Sequence, residues 1–280
     1  MTKELRNLQF AELDILKKII EICDAHNLTY YAVGGTLIGA SRHQGFIPWD
    51  DDIDIALPRP DYDCFLRIAR NELTEPYQLR TIDGCRNEIA YYYAKVENNS
   101  ILLQFTARKN KNQVPVWVDV FPLDGAPNDT KTARKWLSTG YRLNKLLGLS
   151  QYSYKAAEDL RRKPFNRIFL LLKIEKLIST KRVWRALNSV ATKYPYDKST
   201  KVCNFCGRYG EKEITYKSIL GKGCHLPFET IEINCPENYD AYLRNIYGDY
   251  MTLPPESERT THDVKVIYTK LLTGDVRESV

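Results

Sequence analysis

Apolar residues in the first stretch of the chain recur at helical spacing. Leu5, Leu8, Leu16, Ile19, Ile20 and Cys23 share one face, so residues 4–26 are predicted to form an amphipathic helix that Asn27 stops. A short β-run at 29–33 is broken by Gly34-Gly35, after which 36–43 reads as a second helix. The loop 44–49 leads into a predicted strand at 51–57, ended by Pro58. Pro60 sits well as the first residue of a helix running to about Leu73.

Beyond Pro76 the rhythm changes from helical to alternating. Strands are predicted at 78–83 and 90–97, with Asn98-Asn99 as a hairpin turn into 100–105. Another strand, 116–121, follows a basic loop at 108–113, and Pro122, Gly125 and Pro127 close the block. From 130 to about 193 the pattern is helical and basic, interrupted at Pro164. The remainder is mixed, with a strand at 230–234 and a helix at 238–247. The order of elements predicts an α/β fold with a mixed sheet, in three parts. These are a core over 1–130, a basic helical segment over 131–200, and a C-terminal part over 201–280 that packs on the core and completes its site.

Composition adds limits. A hydrophobic share of 43% with 27% charged residues can build a real core in 280 residues. The first six residues mix charges of both signs with no apolar run behind them, unlike a secretory leader. The longest aliphatic stretch, 168–172, is too short to span a bilayer. Seven scattered cysteines suit a reducing compartment, so the protein is expected in the cytoplasm.

The net charge of +6 conceals an asymmetry. Residues 131–201 hold 18 Lys/Arg against four Asp/Glu, a local +14, and the rest of the chain carries −8. No zinc-finger spacing, aromatic ribonucleoprotein motif or helix-turn-helix accompanies this charge, so nucleic acid is not expected as a partner. The segment reads either as a solvated face or as a peripheral contact with an anionic membrane surface at its inner face.

Chemistry concentrates in Asp50-Asp51-Asp52-Ile53-Asp54. On a strand Asp52 and Asp54 point the same way while Ile53 and Ile55 face the core. Like charges packed this closely call for a cation, and hard divalent ions take carboxylate oxygens while leaving positions for substrate phosphates. Upstream, a strand ending in Gly34-Gly35-Thr36 and opening a helix offers free backbone N–H groups to a phosphate. Downstream, Asp119 interrupts the apolar strand 116–121, where an isolated acid is costly without a partner. If the two strands are neighbours, Asp52, Asp54 and Asp119 converge on one or two metal ions, as phosphoryl transfer requires.

At these residues the chain resembles the LicD family of phosphotransferases, relatives of the fukutin group in the nucleotidyltransferase superfamily. The match runs from Gly34 through Trp49 to Asp54, then through 117–122, and resumes at 247–251 and 253–255. The family's C-terminal Arg and His correspond to Arg259 and His262, with Asp263 where a second His is common. The resemblance implies a nucleotidyltransferase-like fold with Mg²⁺ (or Mn²⁺) as cofactor. It implies transfer of a phosphate-linked group from a CDP-linked donor such as CDP-choline to a glycan or lipid-linked glycan acceptor. Lipopolysaccharide, teichoic acid and capsule precursors are acceptors of that class.

Roles follow. Asp52 and Asp54 are expected to bind metal, and Asp119 to complete the site and accept the proton of the acceptor hydroxyl. Gly34, Gly35, Thr36, Arg42, His43 and Lys95 are candidate phosphate contacts, and Arg259 and His262 candidate substrate contacts. Asp50 and Asp51 read as structural, capping or pairing with Arg42. Tyr91-Tyr92-Tyr93 suggests an aromatic cage for choline, but alternation on a strand predicts a split between core and surface. Cys203-x-x-Cys206 with Cys224 and Cys235 has a spacing that zinc can use. The same metal site would also serve a nucleotidyltransferase that releases pyrophosphate, and a non-catalytic glycan- or nucleotide-binding relative would have little use for all three acids.

Overall fold

The structure, a computed structural model, describes residues 2–82, 91–105, 113–150, 178–259 and 264–268. The predicted loop at 108–113 (but for its last residue), the interruption at Pro164, the stretch 168–172 and His262 lie outside them.

Helix α1 (Lys3–Ala25) starts where the Thr2 hydroxyl accepts from the Leu5 N–H at 3.2 Å. Its stripe of Leu8, Ile15, Leu16 and Ile19 is fully buried. After β1 (Tyr31–Ala32) comes α2 (Gly34–His43), then β2 (Asp54–Pro58), α3 (Arg59–Glu72), β3 (Tyr77–Arg80), β4 (Ala94–Phe105) and β5 (Gln113–Ala126). Two basic helices, α4 (Thr130–Leu149) and α5 (Thr180–Ala191), follow. The C-terminal part supplies β6 (Lys201–Asn204), β7 (Ile214–Tyr216), α6 (Lys217–Leu220), β8 (Cys224–Phe228), β9 (Ile231–Cys235), α7 (Tyr239–Tyr247) and β10 (Val264–Tyr268).

Strand β5 organises the sheet. It pairs in parallel with β2 and antiparallel with β4 and β6, so the sheet is mixed. β1 continues beyond β2, β3 and β10 flank β4, and β7 lies beyond β6. Val116, Val118 and Val120 on β5 are fully buried, while Trp117, Asp119 and Phe121 take the opposite face. β8 and β9 form a separate hairpin whose Phe228 and Ile233 enter the same core as α1 and the sheet. Tyr242, Leu243 and Ile246 of α7 enter it too, so residues from both ends of the chain share one core. The helices α4 and α5 pack over the β5–β6 edge through a second cluster of Trp136, Leu187, Tyr92 and Phe205.

Four predicted features differ. The helix expected at 36–43 already starts at Gly34, because the glycines form its first turn. The acidic strand begins at Asp54 rather than at 51, so Asp52 lies in the segment entering the strand and strand alternation does not fix its direction. Asn98-Asn99 is no hairpin turn: β4 runs straight through with a bulge between Asn98 and Leu102. The Asn98 side chain accepts from the Ser100 N–H at 2.9 Å and hydroxyl at 2.6 Å, a local bond that kinks the strand without reversing it. Pro122 and Gly125, expected to close the block, lie inside β5.

Candidate active site

Asp54 on β2 is the direct partner of Asp119 on β5, and Asp119 is in turn the partner of Lys95 on β4. Two acids and one lysine therefore stand abreast across three strands. The Asp119 N–H donates to the Ile53 carbonyl at 3.0 Å, fixing this register one residue before the strand begins. The Thr36 hydroxyl accepts from the Asp54 N–H at 2.9 Å, so the first turn of α2 pins the acid's backbone.

Burial, then the charges of Asp52, Asp119 and Asp50, pushes the Asp54 carboxyl well above the ordinary range. Asp119, only 8% exposed, is also raised by burial, against the opposing pull of Lys95. Lys95 Nζ lies 2.6 Å from Asp119 Oδ1 and is itself buried. Asp50 is pushed up to about 8 by burial and by Asp52 and Asp51, and its carboxyl shares a hydrogen bond with Asp52.

The two glycines are required by the acids. A Cβ on Gly35 would fall 2.3 Å from Asp50 Oδ2, and one on Gly34, whose φ is +59°, would fall 2.8 Å from Asp54 Oδ2. The groups crowding the start of α2 are thus carboxylates, at the helix end whose dipole favours negative charge. Asp50, expected to cap or to pair with Arg42, lies against Gly35 in the first turn of α2 and shares a hydrogen bond with Asp52.

Arg42 and His43 sit in the last turn of α2, where Gln44 closes the helix in a left-handed conformation. The Arg42 guanidinium donates to the Tyr250 carbonyl, which ties the C-terminal motif to this helix. The His43 ring meets Trp49 edge-on at 6.3 Å, and the Arg259 guanidinium lies over the same Trp49 ring at 5.1 Å. Burial and the neighbouring Arg259 lower the Arg42 pKa, and burial and Arg42 lower that of His43. Arg42, His43 and Arg259 therefore gather around Trp49, the residue before the acidic run. A clamp holds the intervening loop: Glu229 accepts from the Phe46 N–H at 3.1 Å and pairs with Arg6 of α1, its Oε1 at 2.9 Å from that guanidinium.

Residues 27–169 match the family model described as LicD/FKTN/FKRP, nucleotidyltransferase domain. The chain belongs to the LicD family. It is similar to the lipopolysaccharide cholinephosphotransferase LicD of Haemophilus influenzae, 29% identical over 274 residues that cover 94% of this chain and 97% of that protein. Shorter likenesses link it to an uncharacterized protein of Rickettsia typhi, 43% identical over 54 residues, or 19% of this chain and 18% of that one. Another, of Rickettsia prowazekii, is 45% identical over 47 residues, 17% of this chain and 18% of that one.

The LicD-family motif does not foretell Glu12. This α1 residue is 2% exposed, and its Oε2 has no hydrogen-bond partner. Burial raises its carboxyl well above the usual range, with Asp52, Asp51, Asp50 and Asp119 adding to the effect. The signal in the sequence was polar Gln9 and Glu12 inside an otherwise apolar stripe; Gln9 donates to the Asp50 carbonyl at 2.9 Å.

The cysteines of this LicD-family chain do not form one zinc site. Cys203 and Cys206 pack with Tyr92 and Trp136, while Cys224 and Cys235 oppose each other across β8–β9 in the other core. Among the described residues no three His, Cys, Asp or Glu side chains are already converged as a ligand set. The acids nonetheless suit a hard divalent cation. They offer oxygen donors only and are crowded, and burial with mutual repulsion raises the Asp50 and Asp54 carboxyls, a cost that a cation would relieve.

Proposed function

We propose that this LicD-family enzyme is a metal-dependent phosphotransferase. It moves a phosphate-linked small group, phosphocholine, from a CDP-activated donor to a hydroxyl of a cell-surface glycan such as lipopolysaccharide. The observation that carries the reading is the Asp54–Asp119 pairing beside Asp52 at the start of α2. The donor class and acceptor follow the cholinephosphotransferase named among its relatives.

Asp52, Asp54 and Asp119 would hold Mg²⁺ or Mn²⁺, which supplies neutralisation of the charge on the donor's pyrophosphate. Arg42, His43 and Arg259 bind the phosphates, and Arg42 keeps its orientation through the Tyr250 carbonyl. Gly34 and Gly35 keep the approach to the acids free of side chains. The acceptor oxygen attacks the phosphorus distal to the nucleoside, the new P–O bond forms as the pyrophosphate P–O bond breaks, and CMP leaves. Asp119 takes the acceptor's proton. The exposed basic residues of α4 give this face affinity for an anionic membrane carrying a lipid-linked acceptor.

The test is product analysis with CDP-choline, Mg²⁺ and a lipopolysaccharide acceptor. Release of CMP with phosphocholine on the glycan is expected. Pyrophosphate release from a nucleoside triphosphate instead would make the chain a nucleotidyltransferase and overturn the reading.

A further inference from the structure

The face of the sheet that carries Asp119 also carries a set of aromatic rings around one cation. Lys95 Nζ lies 4.1 Å from the centre of the Trp117 ring, 4.6 Å from Tyr91 and 5.5 Å from Tyr93. The Tyr91 and Tyr93 rings are 5.2 Å apart, and Tyr93 packs on Phe121 at 4.3 Å. Tyr92, between them, points the other way into the second cluster with Trp184 and Phe205. Trp117 is tied to the acids by a side-chain hydrogen bond to Asp119. The Tyr93 hydroxyl feels Asp119, Asp54 and Asp52.

A ring face attracts a cation through its quadrupole, and several faces around one point suit a cation that is poorly served by hydrogen bonds. A primary ammonium such as that of Lys95 has a carboxylate for a partner. A trimethylammonium group donates no hydrogen bond and is held by ring faces and net charge alone. We propose that Tyr91, Tyr93 and Trp117 form the subsite for the quaternary ammonium of the transferred group, with the Lys95 ammonium marking its position. A donor that brings both a phosphate and a quaternary ammonium offers an anion to Lys95 and a cation to the rings, so the two exchange partners. The subsite borders Asp119, which leaves only choline's ethylene arm between the rings and the reacting phosphate. This deepens the reading above and rests on it.

The experiment is calorimetric binding of CDP-choline, CDP-ethanolamine and CDP, each with Mg²⁺, to the wild type and to variants checked for cooperative thermal unfolding. The wild type is expected to prefer CDP-choline over CDP-ethanolamine by about tenfold or more. Tyr93→Leu and Trp117→Leu bring that ratio close to one. Tyr93→Phe and Trp117→Phe, which keep a ring face, retain it, and Trp117→Phe separates ring loss from loss of the hydrogen bond to Asp119. A wild type without preference, or a preference that survives both leucine variants, overturns the subsite while CDP binding leaves the donor reading standing. Failure to bind CDP at all overturns both.

Discussion

Asp54 and Asp119 are direct partners across the parallel β2–β5 pair, two acids side by side, Asp119 buried and Asp54 half-buried. After burial, Asp52 raises the proton affinity of both and Asp119 that of Asp54, so the cluster is unfavourable for the folded chain without a cation. Asp54→Asn is therefore expected to leave the metal-free melting temperature unchanged or higher. Turnover falls about a thousandfold or more, the scale of several kcal/mol of transition-state stabilisation. A variant with near-normal rate would remove Asp54 from the site.

Lys95 is the counter-charge of Asp119 in the structure, and both are buried. Lys95→Met leaves that carboxylate with no cation beside it and is expected to cost about 3–5 kcal/mol in urea unfolding without metal. The double variant Lys95→Met, Asp119→Leu should recover most of that loss. Equal cost for single and double variants would show that the pair is not coupled.

Gly35→Ala places a methyl where Asp50 Oδ2 now sits. The acid must move, and the start of α2 with it. A displacement on this scale is expected to lower kcat/KM roughly a hundredfold. Alanine suits a helix, so the far-ultraviolet circular dichroism and cooperative unfolding should persist. Unimpaired kinetics would contradict the crowding.

Glu213 supplies a pH test away from the acids. Burial pushes its carboxyl up to about 7, against the one backbone N–H, from Tyr209, that it accepts at 3.1 Å. The folded state then binds the proton more tightly than the unfolded state. The stability linked to this proton is fully present below the unfolded carboxylate pKa and is lost as pH rises through about 7. Glu213→Gln keeps the acceptor oxygen and has no proton to lose. Between about pH 5 and about pH 8 its stability should gain on the wild type by up to about 3 kcal/mol. Parallel curves for the two proteins would refute the shift.

Much of the site was legible because its members sit in short motifs whose chemistry is local. The glycines before a helix, the alternating acids and a lone acid in an apolar strand each announce themselves without tertiary context. What escaped depends on register. Nothing in the order of residues says that Lys95 would lie abreast of Asp119, since that requires β4 to pair antiparallel with β5. The bulge after Asn98 was misread as a turn, because an asparagine pair favours both and only the partner strand decides. Tyr91-Tyr92-Tyr93 lies ahead of β4, which starts at Ala94 and not at 90, so its split into a buried Tyr92 and half-buried outer rings is not strand alternation. Trp117 of the neighbouring strand joins the outer rings around Lys95. Glu12 lies with Gln9 among the buried residues of α1, where apolar periodicity alone gives no sign of it. The strands β6, β7 and β8 were missed because each is short and lacks clean alternation.

The contact between Arg6 and Glu229 has a consequence for the order of synthesis. The loop that presents the acids is held at Phe46 by a carboxylate that leaves the ribosome long after every acidic residue has been made. In a nascent chain this loop has no such clamp until Glu229, between β8 and β9, has been made and has met Arg6. The segment that carries the acids is thus fastened from both ends of the chain, by a residue made near the start and one made near the finish.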